Sequence, residues 1–159
     1  MTEPLVEILV DADACPVKEE IYKVAFRHET PATIIANSYM RIPDHPLIRR
    51  IIVSDGFDAA DDAIAATAHA KSIVITADIL LADRCLKAGA TVISPNGKPF
   101  TADMIGGAIA TRAIMADLRA GTVGDPTSGG VGGPSPFSKA DRSRFLSALD
   151  EALVKLKRR

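Results

Sequence analysis

Short aliphatic runs alternate with helix-like periodicities through the first hundred residues. Leu5 to Val10 reads as a buried parallel strand, because the run is short and mostly aliphatic. Pro16 suits the first turn of a helix. Val17, Ile21, Val24 and Ala25 then recur at helical spacing as far as His28, and Thr30-Pro31 breaks the pattern. Ala32 to Ala36 reads as a second strand. Asn37 to Pro46, with prolines at 43 and 46, reads as a loop. Arg49 to Val53 reads as a third strand, and Ser54-Asp55-Gly56 as a turn. Asp58 to Ala70 is alanine-rich with acids in its first turn, where they favour a helix N-terminus. Ser72 to Thr76 reads as a fourth strand. Ile79 to Ala88 reads as a helix stopped by Gly89, and Ala90 to Ser94 as a fifth strand ended by Pro95-Asn96-Gly97. Five strand–helix alternations predict a parallel sheet with helices on both faces.

The pattern changes after residue 100. Thr101 to Ala120 reads as one long helix, weakened at Gly106-Gly107 by about 1 kcal/mol per glycine. Residues 121–137, GTVGDPTSGGVGGPSPF, hold six glycines and three prolines. Ser138 then caps a final helix, in which Phe145, Leu146, Leu149, Leu153 and Leu156 form an apolar stripe. There is no internal repeat. The expected organisation is one domain over 1–159, with a core at 1–100 and a helical, glycine-rich extension at 101–159.

Composition narrows this picture. The absence of a long apolar run argues against a membrane span, and the acidic MTEPLVEILV does not read as a signal peptide. Cys15 and Cys85 are too few for a disulfide framework, so a cytoplasmic location is expected. A net charge of −1 argues against coating DNA nonspecifically. Charge is uneven, however: residues 1–100 are net −4 and residues 101–159 net +3.

The candidate chemistry begins with Asp11 and Asp13, one residue apart at the end of the first apolar run. In open α/β sheets that carboxyl edge is where ligands bind. Two carboxylates this close repel each other, and a hard divalent cation relieves the repulsion. Asp78 follows the fourth strand, Asp83 lies a turn further on, and Asp58, Asp61 and Asp62 open a helix. The carboxyl ends of parallel strands share one edge, so these acids are candidates to converge there. Carboxylates without nearby His or Cys partners favour Mg²⁺ or Mn²⁺ over Zn²⁺. Cys15 and Cys85 read as packing residues, and His28, His45 and His69 as surface groups. The glycine-rich segment lacks the Gly-Lys-Ser/Thr of a Walker loop. Its backbone N–H groups could still cradle a phosphate. Arg112, Arg119, Arg142 and Arg144 flank it as candidate phosphate contacts.

Taken together, VDADACPVKEEI, SDGFDAADDAI, TADILLADRCLKAGATVISPNG and GGPSPFSKADRSRFLSALD resemble the YaiI/YqxD family of bacterial proteins. That family is grouped by fold with PIN-like domains, which include metal-dependent nucleases. The resemblance implies a three-layer α/β/α fold and a carboxylate cluster for Mg²⁺ or Mn²⁺. By motif the first acid falls on Asp11, with Asp13 beside it. The helix acid falls within 58–62, best on Asp62, and the later ones fall on Asp78 and Asp83. The glycine-rich extension departs from a minimal PIN domain.

The favoured expectation is a divalent-metal-dependent nuclease acting on single-stranded RNA. Asp11, Asp62, Asp78 and Asp83 would hold the metal, and Asp13 would orient water. One alternative is a haloacid-dehalogenase-like phosphatase, with Asp11 as nucleophile and Asp13 as general acid. Cys15 stands where that class usually has Thr or Val. Another is a PIN-like module that binds RNA or protein without turnover.

Overall fold

Five parallel strands carry the molecule, a computed structural model describing residues 5–13, 15–53, 59–107 and 137–158. They are β1 (Glu7–Asp11), β2 (Ala32–Ala36), β3 (Ile48–Ile52), β4 (Ser72–Ile75) and β5 (Thr91–Ile93). The order across the sheet is β3-β2-β1-β4-β5. The chain therefore winds outward from β1 to β3, returns to β4 on the other side of β1, and winds outward again. The gap between β1 and β4 is the point where the winding reverses.

Side chains alternate across each strand, and the two faces collect two separate cores. On one face Ile8, Val10, Ile34, Ile73, Ile75 and Ile93 meet α1 (Lys18–Arg27) and the final helix α4 (Lys139–Lys157). On the other, Leu9, Ile35, Val74 and Val92 meet α2 (Ala59–Thr67) and α3 (Ile79–Lys87). The expected three-layer α/β/α architecture is therefore the observed one. Among the described residues no helix is long and apolar enough to cross a membrane.

Element boundaries differ from the sequence expectation by one to three residues. β2 runs over Ala32–Ala36 as read. β1 extends to Asp11, so that acid is the strand's last residue rather than its successor. Pro16 lies just outside α1, whose N-cap is Val17. α2 stops at Thr67 rather than Ala70. β5 is shorter than read because Ser94 enters a turn, in which its N–H bonds the Lys98 carbonyl. Of the long helix expected over 101–120, residues 102–107 are helical and the remainder lies outside the described residues.

The last helix starts at a full capping box. The Ser138 hydroxyl accepts from the Asp141 N–H, and the Asp141 carboxylate accepts from the Ser138 N–H. The Ser138 N–H and hydroxyl, both donating to the Asp141 carboxylate, together with Arg144 hold that carboxyl below its usual range. Its apolar stripe buries Phe145, Leu149, Leu153 and Leu156, as the periodicity required. Two polar contacts fasten it to α1: an ion pair of Arg142 with Glu20 at 3.1 Å, and a hydrogen bond between Asp150 and His28 Nε2 at 2.6 Å.

Candidate functional site

Strand register builds the site. Val10 pairs with Ile75 across β1 and β4, so Asp11 stands beside Thr76 at the carboxyl edge. Leu9 and Val74 face the α2–α3 core, and two residues further on Asp11 and Thr76 share that face. The Thr76 hydroxyl, on a residue only 1 % exposed, donates to Asp11 Oδ2 at 2.8 Å. The same oxygen accepts from the Asp78 backbone N–H at 3.0 Å. One threonine thus ties the end of β1 to the start of α3, across the reversal point where α/β sheets open a crevice.

Asp78 is the N-cap of α3. Its Oδ1 accepts from the Leu80 and Leu81 N–H groups at 2.9 and 3.3 Å, which satisfies donors that a helix start leaves unpaired. Asp13 is exposed and accepts the Asn37 N–H on both oxygens, at 3.1 and 3.0 Å. It thereby closes the open end of β2. Asp11 is partly buried, and desolvation raises its pKa. The Thr76 bond opposes that shift, while the charges of Asp13 and Asp78 add to it.

The remaining predicted acids lie on the helices. Asp62 of α2 pairs with Arg84 of α3 at 2.9 Å, and Asp83 pairs with Lys87 at 2.9 Å, one turn along α3. The structure therefore brings Asp11, Asp13 and Asp78 into one electrostatic neighbourhood and gives Asp62 and Asp83 basic partners. Among the described residues no group of three or more His, Cys, Asp or Glu side chains is placed to hold a metal ion. Asp55 and Asp58 lie outside the described residues.

The donor chemistry still fits a hard cation. Asp11 Oδ1 and Asp78 Oδ2 accept no hydrogen bond among the described residues. The charges bearing on Asp11 are both acidic. Two carboxylate oxygens with no positive partner among the described residues suit Mg²⁺ or Mn²⁺, which take oxygen ligands and keep several waters.

The candidate phosphate contacts divide in two. Arg112 and Arg119 lie outside the described residues, as do residues 121–136 of the glycine-rich segment. Arg142 donates to Glu20 and to the Pro16 carbonyl, and its guanidinium lies 5.0 Å from the Phe137 ring centre. Arg144 pairs with Asp141. Both cysteines are buried, as expected. Desolvation raises the thiol of Cys15 and pushes that of Cys85 up to about 11, so neither is a ready nucleophile. His28 and His69 pair with Asp150 and Glu7, and His45 accepts from the Leu47 N–H.

Sequence reasoning passed over Thr76 and Asn37, the two residues that fix the acids. A threonine closing a strand has no periodic signal. Only its place between β4 and Asp78 in ITAD could have marked it.

Comparison with known proteins places the chain. A family model described as "Uncharacterized BCR, YaiI/YqxD family" matches residues 9–155. A UPF0178 protein of Sphingopyxis alaskensis is 72 % identical over 151 residues, covering 95 % of each chain. One from a Jannaschia species is 57 % identical over 150 residues, covering 94 % of each. One from Rhodopseudomonas palustris is 56 % identical over 159 residues, covering all of this chain and 97 % of the relative. No solved structure matches. The chain belongs to the YaiI/YqxD family.

Proposed function

We propose that this member of the YaiI/YqxD family is a divalent-metal-dependent hydrolase of phosphodiester bonds in RNA, centred on Asp11 and Asp78. One observation carries the reading. At the point where the sheet reverses its winding, a single hydroxyl joins two carboxylate residues, each with an oxygen that accepts no described hydrogen bond.

Asp11 Oδ1 and Asp78 Oδ2 would hold Mg²⁺ or Mn²⁺ directly or through water. Bound there, the ion would lower the pKa of a water and offset charge on the phosphoryl group. The Thr76 bond takes up Oδ2 of Asp11 and leaves Oδ1 open to a ligand. The cap on α3 does the same for Asp78. Asp13, held at both oxygens by Asn37, contributes negative potential and an acceptor for a water proton. Asp62 and Asp83 would enter the shell by releasing exposed ion pairs, each worth about 0–1 kcal/mol.

The test is to incubate purified protein with end-labelled single-stranded RNA and DNA in Mn²⁺. RNA cleavage is expected, abolished by chelation and by Asp11→Asn. Cleavage that proceeds unchanged in Asp11→Asn removes Asp11 from the chemistry and overturns the proposal.

A further inference from the structure

We infer that Tyr39, with Arg50 stacked on its ring, is a base-stacking platform for single-stranded RNA, set beside the acidic edge. The inference deepens the hydrolase reading, and rests on it only for where the bound strand leads.

Tyr39 lies in the loop that leaves β2. Met40 and Ile42 of that loop pack against the α1-side core, whereas Tyr39 and Arg41 alternate with them and are exposed. Tyr39 keeps 72 % of its surface accessible, in a chain with only 4 % aromatic residues and no tryptophan. Burying such a ring stabilises a fold, so a ring left bare on a pinned loop is available to a ligand.

The ring is also held in place. The Arg50 guanidinium lies 4.4 Å from the ring centre, and its Nη1 donates to the Met40 carbonyl at 3.0 Å. Arg50 therefore fixes both the ring and the backbone that carries it. At the root of the loop, the Asn37 N–H is bonded to Asp13. Tyr39 follows Asn37 by two residues, which span roughly 7 Å at most. The platform thus begins within a short reach of Asp13, and hence of the edge where Asp11 lies.

Its surroundings are basic. Within residues 38–50, Arg41 and Arg50 are both exposed and stand against one acid, Asp44, while Arg49, next to Arg50 on β3, faces the other side of the sheet. Exposed aromatic rings interleaved with arginines are how proteins hold unpaired bases and their phosphates. A protein partner would also accept tyrosine and arginine, but the excess of positive charge on this face favours a polyanion.

The test is fluorescence anisotropy with short labelled oligouridylate and oligoadenylate, in EDTA so that nothing is cut. Wild-type protein is expected to bind both. Tyr39→Ala is expected to weaken binding about 5- to 150-fold, the range found for removing one stacking side chain. Tyr39→Phe should bind close to wild type. Arg50→Ala should weaken binding and flatten its salt dependence. A matching thermal melt of Tyr39→Ala shows that the fold is intact. Unchanged affinity in Tyr39→Ala overturns the inference, as does a wild-type protein that binds neither oligonucleotide. A cleavage assay in Mn²⁺ separates the two proposals. Binding that depends on Tyr39 without cleavage sinks the hydrolase and keeps the platform. Cleavage whose KM ignores Tyr39→Ala sinks the platform and keeps the hydrolase.

Discussion

Thr76 donates its only hydroxyl proton to Asp11 across the junction of β1 and β4, at 2.8 Å. That oxygen is simultaneously the acceptor for the Asp78 backbone N–H, so one hydroxyl anchors both the Asp11 carboxylate and the main chain that carries Asp78. Removing the hydroxyl would leave Asp11 partly buried with neither its donor nor a positive partner.

Asp11 should oppose folding at neutral pH when no cation is present. Its folded pKa is raised above the ordinary 3.8, mainly by burial. The folded state therefore holds the proton more tightly than the unfolded chain. That contribution is full below 3.8 and is lost as pH rises through the folded value. Asp11→Asn keeps an acceptor for Thr76 and removes the charge. At pH 7 in EDTA it should gain about 1 kcal/mol at most, since partial exposure screens the repulsion. That gain corresponds to roughly 2–4 °C in Tm. At pH 3 the gain should vanish. Mn²⁺ should raise the Tm of the wild type and not of the variant. Calorimetry in the four conditions checks this, and a lower Tm for the variant at pH 7 in EDTA would contradict it.

Asp78 has a structural task that must be separated from any chemical one. Asp78→Ala removes the cap of α3 and should cost about 1 kcal/mol in urea denaturation. Asp78→Asn keeps a capping oxygen and should be nearly neutral for stability. On the metal-site reading, both variants should nevertheless lose Mn²⁺ binding by titration calorimetry.

α1 and α3 end in the same C-terminal motif with different residues. In α3 the Ala90 N–H reaches the Cys85 carbonyl around Gly89, at φ +92°. In α1 the Thr30 N–H reaches the Ala25 carbonyl around Glu29, at φ +51°. Glycine is the residue this left-handed position favours. Glu29→Gly should therefore stabilise the protein by about 0.5–1 kcal/mol, once the entropy lost by glycine is set against the strain relieved. A urea midpoint below that of the wild type would contradict this.

Gly97 allows the turn after β5 to touch the backbone of α4. A Cβ there would stand 2.5 Å from the Arg144 carbonyl carbon and 2.7 Å from the Phe145 nitrogen, at a φ of +88°. Gly97→Ala should cost about 3 kcal/mol, from a left-handed conformation and an overlap with main chain. Chemical denaturation measures the loss. Gly106→Ala, whose Cβ would meet nothing within 4 Å, is the control and should lose nothing.

Much of the fold was legible because its signals are local. β2 and β4 are short apolar runs between breakers, and the final helix shows its capping serine and its leucine stripe openly. The edge that carries Asp11 and Asp78 followed from parallel strands sharing a direction. Their linkage did not, because it rests on a hydroxyl 65 residues from its acceptor. The Asp62–Arg84 pair joins two helices and was equally hidden. Asp83–Lys87 lies at i,i+4 and could have been read. Glu29 gives no sign of a left-handed turn, since only the hydrogen bonds around it demand that conformation.

The packing of α4 beside α1 has a consequence for synthesis. Ile8, Val10, Ile21 and Val24 are covered by Phe145, Leu149 and Leu153, and the Lys157 ammonium reaches the His28 carbonyl 129 residues behind it. At ribosomal speed that interval is on the order of ten seconds. Throughout it, the apolar surface of the amino-terminal layer that α4 covers in the finished fold is without that cover. That half of the core is therefore completed only when the last helix leaves the ribosome.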